Sequence, residues 1–395
     1  MKDFSQRSSR FFYAILFSNF LLSIHFFLIL YINSSFLDQY FSAIALSSLF
    51  IAGAIINLIL LLSAPSLLKK FGNRNLALLF IVLEFIAVLG FVFAEMSWLV
   101  ALLFLLHQSI IMMVLFNLDI FLEEYSGKNE SQTGSIRGIF LSTSNIAAIV
   151  SPAIAGFILT NGDYWKIYLL SSLFLIPLFL NIKTYLKTDR SSAIYESLKN
   201  NFKELWRNKD IYNIFIIQLI LQFFYVWMVV YMPIHLHTNI GFDWTKIGLI
   251  FTIMLLPFLI FTFPLGRLAD RRTGEKEILI TGFLIMAFTT ALIPFMKEAN
   301  FIFWAGLLFA TRIGASFVEI AAESYFFKHV NAANPGTIGL FRITRPLAFI
   351  KAPLVAIISI YLLSLLDMPF QFIFLILSAV VLLGVRYSFK LKDTR

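Results

Sequence analysis

Apolar runs of about 20 residues, separated by short polar stretches, recur from one end of the chain to the other. They fall at 11–32, 41–62, 76–94, 98–118, 138–159 and 165–181, and again at 211–233, 247–265, 278–295, 301–320, 340–362 and 370–387. A helix rises about 1.5 Å per residue, so runs of this length reach across the hydrocarbon core of a bilayer. The pattern predicts an all-α membrane protein with twelve transmembrane helices. The longest interior polar stretch, 183–210, divides the runs six and six. The expected organisation is therefore a first six-helix bundle over 1–182, a linker over 183–210 and a second bundle over 211–395. Within the linker, Ile194, Leu198, Phe202 and Leu205 recur at helical spacing while Lys199, Lys203 and Arg207 take another face. That predicts an amphipathic helix lying on the cytoplasmic membrane surface.

Composition agrees with the bilayer as solvent. The chain is 59% hydrophobic and 13% charged, with a mean hydropathy of +0.86, where a soluble domain carries about a quarter charged residues. The absence of cysteine excludes disulfides, thiolate metal sites and cysteine nucleophiles. The net charge of +9 gains its meaning from position. Outer segments hold only Lys166, Lys246 and Lys297, while Arg312, Arg345 and Lys351 fall inside spans. The rest of the 31 Lys and Arg lie on the side of the N-terminus. Positive residues are retained on the cytoplasmic side, so both termini are expected there, in a multi-pass protein of a bacterial inner membrane. No basic block with interleaved aromatics stands outside the apolar runs, which argues against nucleic acid as a partner. The first run is too long for a signal-peptide core and no cleavage pattern follows it, so it is expected to remain as an anchor.

A weak internal repeat appears at an offset of about 200 residues. Asp119-Ile120 with Glu123 and Tyr125 at the end of span four matches Glu319-Ile320 with Glu323 and Tyr325 at the end of span ten. Gly134 and Ile136 match Gly336 and Ile338, and Ser151-Pro152 with Ala155 matches Ala352-Pro353 with Ala356. Both copies carry the same orientation, so the halves are parallel repeats about an axis along the membrane normal.

Between spans eight and nine the chain reads Gly266-Arg267-Leu268-Ala269-Asp270-Arg271-Arg272-Thr273-Gly274-Glu275-Lys276. This resembles the cytoplasmic loop motif of the major facilitator superfamily, with one residue inserted before the second glycine. The corresponding first-half loop, Pro65-Ser66-Leu67-Leu68-Lys69-Lys70-Phe71-Gly72-Asn73-Arg74, keeps the second glycine and the basic ends but has Lys69 in place of the acid and Pro65 in place of the first glycine. Ser151-Pro152-Ala153-Ile154-Ala155-Gly156 resembles a degenerate form of a motif seen in antiporters of that superfamily, which points toward export. The resemblance implies two six-helix bundles around a central cavity, working by alternating access, in a divergent member. It also implies a cytoplasmic gate in which Asp270 sits against the N-terminus of span five near Arg137, where helix-end N–H groups favour a carboxylate.

The residues that stand out are polar groups inside apolar runs. Asp119, Glu123, Glu319 and Glu323 close spans four and ten, with Arg137, Arg342 and Arg345 opening spans five and eleven, which predicts ion pairs within each half. Arg312 lies near the middle of span ten, where an unpaired arginine costs roughly 3 kcal/mol or more, and it shares a helical face with Glu319. Lys351 in span eleven is expected to be a second buried cation. These two favour an anionic or zwitterionic substrate group, or else a structural pairing with Glu84. Glu84, in mid-span three, is either a proton carrier or a hydrogen-bonded packing group. Asn19 and His25 in span one, His107 and Gln108 in span four, and Gln218, Gln222 and Tyr225 in span seven lie on spans that the superfamily places around its cavity. For the histidines the alternative is interhelical hydrogen bonding. His235 and His237, expected in an outer loop, lack visible further ligands, and no metal or cofactor is expected. Trp98, Trp165 and Trp244 at outer boundaries read as an aromatic belt.

The sequence thus predicts a secondary transporter, proton-coupled and of the exporter or antiporter kind, with a small-molecule substrate, a proton as coupling ion, the bilayer as solvent and a monomeric state. A passive uniporter on the same fold is the first alternative. A receptor-like protein or a membrane-embedded enzyme is the second, although no GxSxG, HExxH or Walker pattern is present to supply catalysis.

Overall fold

A computed structural model of the chain describes residues 2–126, 133–186, 208–261, 274–329 and 335–392. Twelve long helices account for most of these. They are α1 (Lys2–Leu30), α2 (Ala43–Phe71), α3 (Asn73–Gly90), α4 (Ser97–Ser126), α5 (Thr133–Ile158), α6 (Tyr164–Tyr185), α7 (Lys209–Ile234), α8 (Trp244–Ile260), α9 (Glu275–Leu292), α10 (Phe301–His329), α11 (Pro335–Leu365) and α12 (Ile373–Phe389). Eleven of them are long and apolar enough to cross a membrane, and α8 is a shorter apolar helix. Each apolar run of the sequence carries one helix. A lipid-embedded chain must satisfy every backbone N–H and C=O within itself, and the helix does this segment by segment.

Local chemistry sets the ends. Gly72, with φ of 74°, lets α2 turn directly into α3, a conformation that other residues reach only under strain. Asn208 caps α7 by accepting from the backbone N–H groups of Asp210 and Ile211 at 3.0 and 3.4 Å. Asp243 caps α8 through the N–H of Lys246 at 2.9 Å. Its carboxylate also meets the Lys246 ammonium at 3.1 Å. Pro233 stands in the last turn of α7, and a π-helical turn, His235–Asn239, carries the helix onward. The His235 and His237 pair therefore belongs to a helical extension and not to an open loop. The linker expected to carry an amphipathic helix lies largely outside the described residues.

The chain divides into two compact units, Met1–Tyr40 with Ala52–Ile194, and Phe41–Ile51 with Tyr195–Arg395. In the first, α1 packs against α4, α5 and α6, while α3 packs against α4 and α6. In the second, α7 packs against α10, α11 and α12, while α9 packs against α10 and α12. Adding six to each helix number of the first unit gives these pairs of the second, so the weak sequence repeat is a repeat of packing. The hub helices are also the most enclosed: 72% of the apolar window of α1 and 83% of that of α7 is buried, against 33% for α2 and for α5. A polar side chain on α1 or α7 is therefore mostly enclosed by protein, whereas α2 and α5 leave most of their apolar window uncovered.

Candidate functional site

The first unit holds a buried polar cluster built from four of its helices and the turn that follows α1. Glu84 of α3 points its Oε1 at two histidines, 3.1 Å from His25 Nε2 on α1 and 2.5 Å from His107 Nδ1 on α4. All three side chains are enclosed. The far nitrogen of each histidine is also held. His25 Nδ1 lies 2.8 Å from Ser171 Oγ and 3.1 Å from the Ser171 carbonyl on α6, and His107 Nε2 lies 3.3 Å from Asn33 Nδ2. Asn33 opens a short helix, Asn33–Asp38, and its Oδ1 accepts from the Tyr168 hydroxyl at 2.9 Å. Glu84 Oε2 has no hydrogen-bond partner among the described residues. The ligand atoms of His25, Glu84 and His107 lie within 4.8 Å of one another, so among the described residues this trio is the one group able to hold a metal ion.

The second unit holds a more open constellation. Arg312 of α10 is 2% exposed, and its guanidinium lies over two rings of α7, 5.3 Å from the Phe224 centroid and 5.2 Å from that of Tyr225. Such a position gives an enclosed cation a favourable surface without neutralising it. The Tyr225 hydroxyl donates to Glu319 Oε2 at 2.9 Å, and Phe258 of α8 packs edge-on against the Tyr225 ring with centroids 6.1 Å apart. Arg312 and Arg345 both act on the Glu319 carboxylate electrostatically, and Glu323 acts on Tyr225. Arg312 Nε and Gln218 Oε1 are among the buried polar atoms of this unit without a hydrogen-bond partner among the described residues. Gln218, Gln222 and Tyr225 share one face of α7.

Several expectations are revised. Lys351 is exposed on α11 and is not a buried cation, because its stretch of helix turns that side away from the packed interior. Glu84 pairs with the two histidines in place of Arg312 or Lys351, all three of its cluster lying in the first unit. Asn19 stitches α1 to α5, donating to the Phe140 carbonyl at 2.8 Å and reaching Thr143 and Ser144. Gln108 packs over Gly53, where a Cβ would come within 2.7 Å of Gln108 Cγ. Trp98 and Trp165 are exposed at helix starts, but Trp244 is buried with its ring 4.7 Å from that of His237 and takes no part in a belt.

Of the gate residues, Gly266, Asp270 and Arg271 lie outside the described residues, as do the side chains of Glu123, Arg137 and Arg342. Gly274 precedes α9, Lys69 is exposed, and Arg74 donates to the Lys183 carbonyl across the base of the first unit. Asp119 is half-buried. Sequence reading passed over Asn33, Tyr168 and Ser171. Tyr168 and Ser171 stand three apart on one face of span six, a spacing that could have flagged them.

A membrane protein built on one packing scheme repeated in two units, each with a polar cluster inside, is the architecture of secondary carriers. The chain belongs to the Major Facilitator Superfamily, whose sequence profile matches residues 15–246 and 214–394. Its fold is that of the superfamily's transporters. It is similar to two structures of the nucleoside transporter NupG, at TM-scores of 0.77 and 0.71 with 13% and 14% identity. These cover 96% and 98% of this chain and 99% and 100% of theirs. It is likewise similar to a D-xylose-proton symporter, at a TM-score of 0.72 and 15% identity, covering 98% of each chain. At such identities the likeness is one of fold. No curated protein matches the chain in sequence.

Proposed function

We propose that this protein is a secondary transporter that carries a small molecule with an anionic or zwitterionic group by alternating access, coupled to protons. The observation that supports it most is Arg312, enclosed within a membrane-spanning helix, resting on two aromatic rings and keeping its Nε uncommitted beside Glu319. A guanidinium is always charged and offers its donors as a planar fork matched to carboxylate and phosphate. The fork makes no ion pair with Glu319, which acts on it only electrostatically, and is open to an incoming anion. Glu319 is held by the Tyr225 hydroxyl and is the natural group to take up a proton when an anion binds Arg312, which keeps the interior close to neutral. Gln218 Oε1 adds an acceptor for a donor group on the same substrate.

Proton coupling appears in the name of one fold neighbour, the D-xylose-proton symporter, but here it rests on this chain's own residues. The antiporter-like segment around Pro152 favours export. The Lys and Arg asymmetry favours cytoplasmic termini in a bacterial inner membrane.

The test is a thermal-shift screen of the purified protein against amino acids, monocarboxylates and nucleoside monophosphates at acidic and neutral pH. A compound present at about 100 times its Kd stabilises the folded state by about 2.7 kcal/mol. A pH-dependent hit is expected, with its affinity reduced about tenfold, or about 1.4 kcal/mol, in Arg312→Lys, which keeps the charge and loses the fork. Equal affinity and equal pH dependence in Arg312→Lys would remove Arg312 from the site. Transport of the hit that continues unchanged after the proton gradient is collapsed would make the protein a passive uniporter.

A further inference from the structure

Two histidines of the first unit converge on one oxygen of Glu84 and leave the other bare. The Ser171 hydroxyl donates to the His25 carbonyl at 2.9 Å, so its oxygen accepts from His25 Nδ1, as does the Ser171 carbonyl. His25 Nδ1 therefore bears the hydrogen, and Nε2 turns a lone pair toward Glu84 Oε1, 3.1 Å away. Two acceptors at that distance repel unless a cation lies between them. A single proton there would leave Glu84 Oε2 as it stands, buried and with no hydrogen-bond partner among the described residues. A metal ion would use both carboxylate oxygens.

We propose that His25, Glu84 and His107 form a binding site for one divalent transition-metal ion of the zinc kind, resident in the first unit. Two imidazoles and a carboxylate are a donor set that suits zinc, and the ligand atoms of the three lie within 4.8 Å of one another. Bonds of about 2.0–2.2 Å in a tetrahedral arrangement set neighbouring donors about 3.3 Å apart. His25 Nε2 and Glu84 Oε1 already stand at 3.1 Å. His107 Nδ1, 2.5 Å from Oε1, has to draw back by about 0.8 Å to match that spacing, which a tilt of the side chain supplies. Glu84 Oε2 is the fourth donor, so the enclosed site needs no solvent ligand.

The surrounding groups fit the same role. A metal-bound imidazole commonly donates its other N–H to a carbonyl, a carboxylate or water, which fixes the ring. His25 does so with Ser171. His107 Nε2 meets the Asn33 amide nitrogen at 3.3 Å, and Asn33 Oδ1 meets the Tyr168 hydroxyl at 2.9 Å. A half-turn of that amide exchanges its two ends, so that Oδ1 accepts from His107 Nε2–H and the nitrogen donates to the Tyr168 oxygen. His107 then carries its hydrogen on Nε2 and binds the ion through Nδ1. All three ligands belong to one unit, on α1, α3 and α4, with Ser171 of α6 behind them. The ion is thus a brace between those helices and not the carried substrate, and the inference is independent of the transport reading. Because the three side chains are enclosed, the ion is taken up as the unit folds.

Wild-type protein, purified without chelator through a histidine-free tag from cells grown with added zinc, is tested by inductively coupled plasma mass spectrometry and by X-ray absorption at the zinc edge. The expected result is about one zinc per chain, with nitrogen and oxygen neighbours at about 2.0–2.2 Å, imidazole rings among them, and no sulfur. Less than about one tenth of an ion per chain, or a sulfur neighbour, would overturn the site. Neither outcome needs a variant to fold.

Two variants locate the ion. Glu84→Gln keeps the size of the side chain and loses its charged chelate. It is expected to hold zinc at least about tenfold less well and to lose the rise in melting temperature that zinc gives the wild type over chelator-treated protein. His235→Gln, in the second unit, is expected to keep both. Zinc retained in full by a folded Glu84→Gln, or lost from His235→Gln, would put the ion elsewhere and end the proposal.

Discussion

The two units share one packing scheme and spend their polar side chains differently. In the first, amide side chains tie helices to one another's backbones: Asn57 donates to the Ser109 carbonyl at 2.8 Å, Asn181 to that of Ala14 at 2.8 Å and Asn73 to that of Asn117 at 3.1 Å. Asn117 returns the bond to Asn73 Oδ1 at 2.6 Å, and the histidine cluster adds side-chain bonds that join α1, α3, α4 and α6. In the second, helices approach through glycine. A Cβ on Gly282 would stand 2.7 Å from the Gly314 carbonyl oxygen, so α9 and α10 touch backbone to backbone. The polar groups left there, around Arg312, keep unused valences. A network whose members satisfy each other is rigid and specific. One with open donors is prepared for a ligand.

The largest expected effect tests the histidine cluster. Glu84→Ala removes the common partner of His25 and His107 and is expected to cost about 3–5 kcal/mol of stability, as when one member of a buried charged pair is deleted. Urea or thermal unfolding in a fixed detergent measures it. A loss below about 1 kcal/mol, the scale of an ordinary hydrogen bond, would mean the cluster is loosely held.

Next comes the glycine contact of the second unit. Gly282→Ala forces a methyl into the Gly314 backbone and is expected to cost about 1–3 kcal/mol. A neutral result would show that α9 can shift along α10, and the contrast between the units would weaken.

The smallest effect belongs to neither interior. Asp243→Ala removes the cap of α8 and is expected to cost about 1 kcal/mol. Partial burial works against the Asp243 carboxylate, but the backbone N–H and the ammonium of Lys246 outweigh it and hold the group below the usual carboxylate range. Its contribution is therefore complete above the unfolded pKa of about 3.9 and fades as pH falls through the lower folded value. The wild type and the variant should converge in stability under strong acid.

Twelve helices were legible because a bilayer imposes a length and a polarity on every span, and no other solvent does so as uniformly. Arg312, Glu319 and Glu84 were conspicuous for the same reason, as charges inside apolar runs. Their partners were not. Periodicity places two residues on one face of one helix, as with Arg312 and Glu319, but is silent on which face of another helix meets them. Glu84 accordingly read as a partner for a distant cation, when His25 and His107, each noticed separately, enclose it. Lys351 read as buried because hydropathy averages over a helix and does not separate its packed side from its exposed side. Asn33 and Tyr168 are polar groups near span ends, where polarity is unremarkable, and only the packing of α1 against α6 gives them a role.

The hub position of α7 has a mechanical consequence. Successive residues of a helix are turned by about 100°, and α7 meets α10, α11 and α12 around its circumference. One residue inserted ahead of Gln218 would leave the hydropathy profile nearly unchanged, yet it would swing Gln218, Gln222 and Tyr225 through more than a quarter turn. Tyr225 would leave Glu319, and Arg312 would lose both rings beneath it. Angular phase, more than length or greasiness, is what α7 has to preserve.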